Sequence, residues 1–139
     1  MKRLSLSLTI ILLTSSFGEC QTAAPSLDQQ ARCAAQAEKI FTKLGWDFQR
    51  DSVQSHINSK LNRCFVEIIG HATPGSTSKV FMDAYEQREY ATYLWIPRDG
   101  KKYWEVPPFE CVLKPIGAPE QKCSTDEEYQ AFVRPYLEN

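Results

Sequence analysis

The residues able to do chemistry in this chain are its cysteines, its two histidines and a dense run of aromatic side chains. Cys33, Cys64, Cys111 and Cys123 form no C-x-x-C pair, and none has a histidine close by to complete a metal site, so ligation and thiol redox chemistry are poorly served. An even set of this kind in an oxidising compartment is expected to pair as disulfides. His56 and His71 are too few for a zinc site. A hydrolase would need one of them beside a carboxylate such as Glu67 or Asp83 and an activated hydroxyl, and there is no G-x-S-x-G elbow to present one. Asp126, Glu127 and Glu128 have a sufficient role in capping a helix. No metal and no cofactor is expected.

The aromatic run offers binding chemistry instead. Tyr85, Tyr90, Tyr93, Trp95, Tyr103, Trp104 and Phe109 are interleaved with Arg88, Arg98, Lys101, Lys102 and Glu105. Tyr85, Tyr93, Trp95, Tyr103 and Trp104 are the candidate binding residues, as a platform that stacks on sugar rings or anchors a protein interface. The alternative is that these rings cover a small two-sided core and pair across strands. The exposure of Tyr93, Trp95 and Trp104 separates the two readings.

The elements that must position these residues follow from periodicity. Ser26 and Gln29 form a capping box, and the helical spacing of Leu27, Ala31, Ala34, Ala37, Phe41 and Leu44 predicts a helix ending near Gly45, with Cys33, Ala37, Ile40 and Leu44 on its flank. From Ser52 the period becomes two. A strand over Val53–Ile57 precedes a stronger one over Leu61–Gly70, in which Cys64, Val66 and Ile68 face one side and Phe65, Glu67 and Ile69 the other. Lys79–Tyr85 and Glu89–Ile96 read as a hairpin around Glu86-Gln87-Arg88. Lys102–Val106 can continue the meander before a short last strand, Phe109–Leu113. Overlapping capping boxes at Ser124 and Thr125 start a second helix with the stripe Tyr129, Phe132, Val133, Tyr136 and Leu137, kinked or cut short at Pro135. The expected class is α+β: an antiparallel meander of about four or five strands, with an N-terminal and a C-terminal helix packed on one face. Four cysteines allow three pairings, of which the topology favours Cys33 with Cys64, stapling helix to sheet, and Cys111 with Cys123, clipping the last strand to the last helix.

The compartment is read from the first 20 residues. Lys2 and Arg3 precede an apolar run, Leu4–Leu13, of about ten residues, too short for the roughly 20 that span a bilayer, and small residues follow. This predicts a signal peptide over 1–20, cut before Gln21, with a flexible lead-in over 21–26 and a single domain over 27–139. The alternative is a lipoprotein anchored through Cys20, although Glu19 stands where that pattern has a small neutral residue. The mature chain, about 120 residues with a net charge of about −2, suits one core. Its charges are mixed, without the basic stripe that would point to nucleic acid.

The run Ser55-His56-Ile57-Asn58-Ser59-Lys60-Leu61-Asn62-Arg63-Cys64-Phe65, with Asp83-Ala84-Tyr85-Glu86 and Tyr103-Trp104-Glu105-Val106, resembles segments of small exported bacterial proteins without an assigned activity. The resemblance implies a bacterial origin and a periplasmic or envelope location, and it carries over no catalytic residue. The expectation is an exported, non-enzymatic binding or accessory domain that recognises an envelope protein or a glycan through the Tyr85–Trp104 region. Two alternatives stand beside it. One is a small periplasmic hydrolase using His56 or His71. The other is an inhibitor or immunity protein that inserts a rigid loop, Thr73–Ser78 or Pro97–Lys102, into a target.

Overall fold

Helix α1 (Leu27–Lys43) begins where the capping box places it: Ser26 Oγ accepts from the Gln29 N–H at 3.2 Å, and Gln29 Oε1 accepts from the Ser26 N–H at 2.8 Å. In the computed structural model, which describes residues 24–72, 75–102 and 104–138, this helix is followed by a sheet and a second helix. The expected leader, its cleavage site before Gln21 and Cys20 lie outside the described residues, as do Gln21–Ala23 of the lead-in. The strands are β1 (Ser52–Asn58), β2 (Arg63–Ala72), β3 (Ser76–Asp83), β4 (Glu89–Trp95), β5 (Glu110–Leu113) and β6 (Gln121–Lys122), and helix α2 (Asp126–Leu137) closes the order. The sheet is one antiparallel meander in chain order, six strands where four or five were expected. The additional strand is β6, two residues held beside β5 by the Cys111–Cys123 disulfide and by the Cys123 N–H donating to the Cys111 carbonyl at 3.1 Å. Such a short edge carries no alternation that a sequence could reveal. The described residues of 102–106 form no strand. They make a turn closed by the Glu105 N–H on the Lys102 carbonyl and by Glu105 Oε2 on the Lys102 N–H, at 2.9 and 2.6 Å.

The larger correction concerns layers. The β2–β3 register sets Glu67 opposite Phe81 and Ile68 opposite Val80, so odd positions of these strands share one face and even positions the other. Cys64, Val66, Ile68 and Met82 pack on Cys33, Ala37, Ile40 and Phe41 of α1. Phe65, Phe81, Tyr93 and Trp95 pack with Tyr129 and Val133 of α2. The two helices therefore cover opposite faces of the sheet, not one, because β2 and β3 are apolar on both sides and each side must be removed from water.

Each helix also differs in detail from its sequence reading. The buried stripe of α1 is Cys33, Ala37, Ile40 and Phe41, while Leu27 and Leu44 stand in solvent. The helix is turned so that Cys33 reaches Cys64, with a Cα–Cα distance of 5.6 Å. Helix α2 does not stop at Pro135. It runs on to Leu137, and the carbonyls of Pro135 and Tyr136 accept from Asn58 Nδ2, at 3.3 Å each, which ties the helix end to β1. Both disulfides join the expected partners, the second with a Cα–Cα distance of 5.0 Å. Gly70 is required by a close approach, since a Cβ there would overlap the Trp46 ring on the α1 face.

Candidate functional site

The candidate site lies where the sheet runs out from under α2. At that end β2, β3 and β4 present Ile69 and His71, Thr77 and Lys79, and Tyr93 and Trp95 on the α2 face, and Asp126 in the first turn of the helix closes the side. These seven residues line a cleft of about 350 Å³, within the range of small-ligand sites. Asp126 also lines a second cleft, of about 320 Å³, between Ser124–Glu127 and the loop residues Trp104, Glu105, Val106 and Pro107. The loop is braced: Arg98 Nη2 donates to the Pro107 carbonyl at 2.7 Å, and the Lys101 N–H donates to the Arg98 carbonyl at 2.8 Å. Trp104 is 62% exposed, and the Lys102 ammonium sits 4.9 Å from its ring centroid.

The floor of the first cleft holds a charge in an aromatic box. Lys79 is buried, ion-paired with Asp126, and stands 5.4 and 5.5 Å from the ring centroids of Tyr93 and Tyr129. Deeper under α2, Glu67 is buried on β2 and accepts from Gln54 Nε2. Its Oε1 and the buried Tyr129 hydroxyl complete no hydrogen bond of normal geometry. Burial first, then the neighbouring carboxylates of Glu67 and Asp126, push the Tyr129 phenol far above its ordinary pKa, so it keeps its proton. The backbone at His71 is fixed by Asp51, whose Oδ1 accepts from the His71 N–H and whose Oδ2 accepts from the Asp47 N–H, each at 2.9 Å. Burial alone would raise the Asp51 pKa. The two backbone N–H groups and the Arg50 guanidinium outweigh it and hold this carboxyl below its ordinary value.

Of the five aromatic residues singled out for binding, Tyr93, Trp95 and Trp104 surround Asp126. Tyr103 lies outside the described residues. Tyr85 sits beyond β3, at the opposite end of β4 from Trp104, about 20 Å away along seven residues of strand. The single exposed platform is therefore corrected: Tyr93 and Trp95 are only 3% and 6% exposed, forming cleft wall and core together, while Tyr85 and Trp104 are exposed at separate ends. Lys79 and Asp126 join the site from outside the aromatic run. The sequence cue is a lysine on the core-facing parity of β3.

His71 enters the first cleft, and its Nδ1 lies 3.5 Å from Thr77 Oγ1. His56 is six residues of β2 away, paired opposite Phe65, with its Nε2 buried and unpartnered. Among the described residues no carboxylate hydrogen-bonds either imidazole, and no cluster of His, Cys, Asp or Glu is arranged to hold a metal ion. Of the two loops expected to be rigid, Thr73 and Pro74 of the first lie outside the described residues. No helix among the described residues is long and apolar enough to cross a membrane. No protein-family model, curated protein or solved structure matches this chain.

Proposed function

We propose that the chain is an exported, non-enzymatic binding domain that engages a partner protein of the cell envelope through the two clefts flanking Asp126. The observation that carries this reading is the convergence of Tyr93, Trp95, Trp104 and His71 on cavities that share one carboxylate. Aromatic walls supply contact area at low entropic cost, and a few fixed polar groups orient what enters. The charged residues lining the cleft around Trp104 are acidic, Glu105, Asp126 and Glu127, which favours a basic side chain of the partner. The intramolecular stacking of Lys102 on Trp104 is the same contact in miniature. Two disulfides suit a chain that works outside reducing compartments.

The test is cross-linking of the exported chain in intact cells, identification of the captured protein, and measurement of its affinity for the purified domain. Trp104→Ala is expected to weaken that affinity at least tenfold, about 1.4 kcal/mol, while leaving the fold intact. Turnover of any substrate by the wild type that is lost in His71→Ala overturns the reading in favour of a hydrolase.

A further inference from the structure

The end of the sheet opposite the clefts carries a groove of about 620 Å³ between the first turns of α1, the β1–β2 turn and the β3–β4 turn. We infer that this groove is a second binding site, and that its ligand is a neutral saccharide. Arg63 is its fixed element. The Nη1 group of Arg63 is held by Asp83 Oδ2 at 3.1 Å, Glu86 Oε2 at 2.8 Å and the Tyr90 hydroxyl at 3.0 Å. Asp83 is itself fixed, its Oδ1 accepting from the backbone N–H groups of Tyr85 and Glu86 at 2.8 Å each. Among the described residues, Nε and Nη2 of Arg63 donate to no protein group. The guanidinium is thus anchored through one nitrogen and keeps the two-donor edge of its fork for a ligand.

Charge decides which ligand. Arg63 already faces two carboxylates, and the second arginine of the groove, Arg32, is paired with Asp28 at 2.9 Å. An anionic ligand would add a third carboxylate to a compensated cation and bring it close to Glu86. A neutral polyhydroxylated ligand meets no such penalty. Its oxygens accept from the Arg63 edge and from the Asn62 and Gln29 amides, and its hydroxyls donate to Glu86. Tyr85, 58% exposed at the rim, offers its ring to the C–H face of a sugar, and Leu61 adds apolar surface. An aromatic face beside planar donors and acceptors, at net charge near zero, suits a pyranose ring better than a phosphate or a basic peptide.

The test is titration of the isotope-labelled, disulfide-intact chain with chitotetraose, cellotetraose and maltotetraose, followed by amide correlation spectra. At least one oligosaccharide is expected to shift Gln29, Asn62, Arg63, Tyr85 and Glu86 with a Kd of about 1 mM or tighter. Tyr85→Phe, which keeps the ring, should stay within about twofold of wild type, and Tyr85→Ala should lose about tenfold. Arg63→Lys, which replaces the fork with a point charge, should lose at least about tenfold. Should Arg63→Lys unfold, the exposed Tyr85 pair carries the test alone. Silence from all three sugars, shifts confined to other residues, or unchanged binding by Tyr85→Ala would each overturn the inference. So would shifts of the same amides by an uncharged peptide when the sugars are silent.

Discussion

The two faces of the sheet are built from opposite materials. Under α1 the apolar buried set is Cys33, Ala37, Ile40, Phe41, Cys64, Val66, Ile68, Met82 and Ala84, with a covalent bond from helix to strand, and buried Asp51 stands at its edge before β1. Under α2 six aromatic residues, Phe65, Phe81, Tyr90, Tyr93, Trp95 and Tyr129, pack with Ala91, Cys111, Leu113, Cys123 and Val133, and buried Glu67 and Lys79 lie on the same face. A purely apolar interface gains from burial everywhere. A buried lysine or carboxylate gains only if its partners are in place, so it adds little to stability and much to the chemistry of the nearest cavity. At the Asp126 end of the sheet, the α1 face is thus the half that holds the fold, and the α2 face the half that meets a ligand.

Substitutions should separate these halves, in order of size. Ile68→Ala on the α1 face, fully buried in the wild type, is expected to cost about 2–5 kcal/mol in denaturant unfolding without altering partner affinity in the molecules that remain folded. Replacing Cys33 and Cys64 together should cost about 4 kcal/mol, and replacing Cys111 and Cys123 about 3 kcal/mol, because the sequence separations closed are 31 and 12 residues. The reverse order would show that the α2 side is the more strongly stapled half.

Lys79→Met tests the other half. Methionine keeps an unbranched stem between the Tyr93 and Tyr129 rings, and Asp126 can turn to water, so unfolding should shift by less than about 1.5 kcal/mol while partner affinity falls. A loss comparable to Ile68→Ala would mean that the charge is structural and would end the division. Asp51 joins the halves through the His71 N–H. Its pKa is held down in the fold, so its contribution is complete above the unfolded value of about 3.9 and disappears as pH falls through the folded value. Asp51→Asn should therefore be destabilised near neutrality by about 1–3 kcal/mol, with the deficit shrinking in acid. A deficit independent of pH would show that the carboxylate charge is not what matters.

Much of this architecture can be read from residue order, for identifiable reasons. The cysteine pairing follows from parity: Cys64 shares the even face of β2 with Val66 and Ile68, where α1 lies. Ser26 with Gln29, and Thr125 at the head of α2, mark helix starts because side-chain oxygens meet otherwise free N–H groups there. The opposed helices were equally visible in principle, since β2 reads apolar on both parities and a strand of that kind needs cover on both sides. The site was not legible. Alternation assigns Tyr93 and Trp95 to a face but does not say where α2 stops covering it, and Asp126 meets Lys79 only through a contact 47 residues long in sequence. The gathering of His71, Thr77 and Trp95 depends on the β2–β3–β4 register, which hairpin geometry sets and composition does not.

The most direct measurement of the division between a holding face and a binding face is Trp104→Ala, assayed twice on one preparation: by denaturant unfolding and by affinity for the captured partner protein. Trp104 is exposed and belongs to neither buried core, so the account predicts an unfolding free energy within about 0.5 kcal/mol of wild type together with at least about tenfold weaker binding. Unchanged affinity in a fully folded Trp104→Ala protein would contradict it.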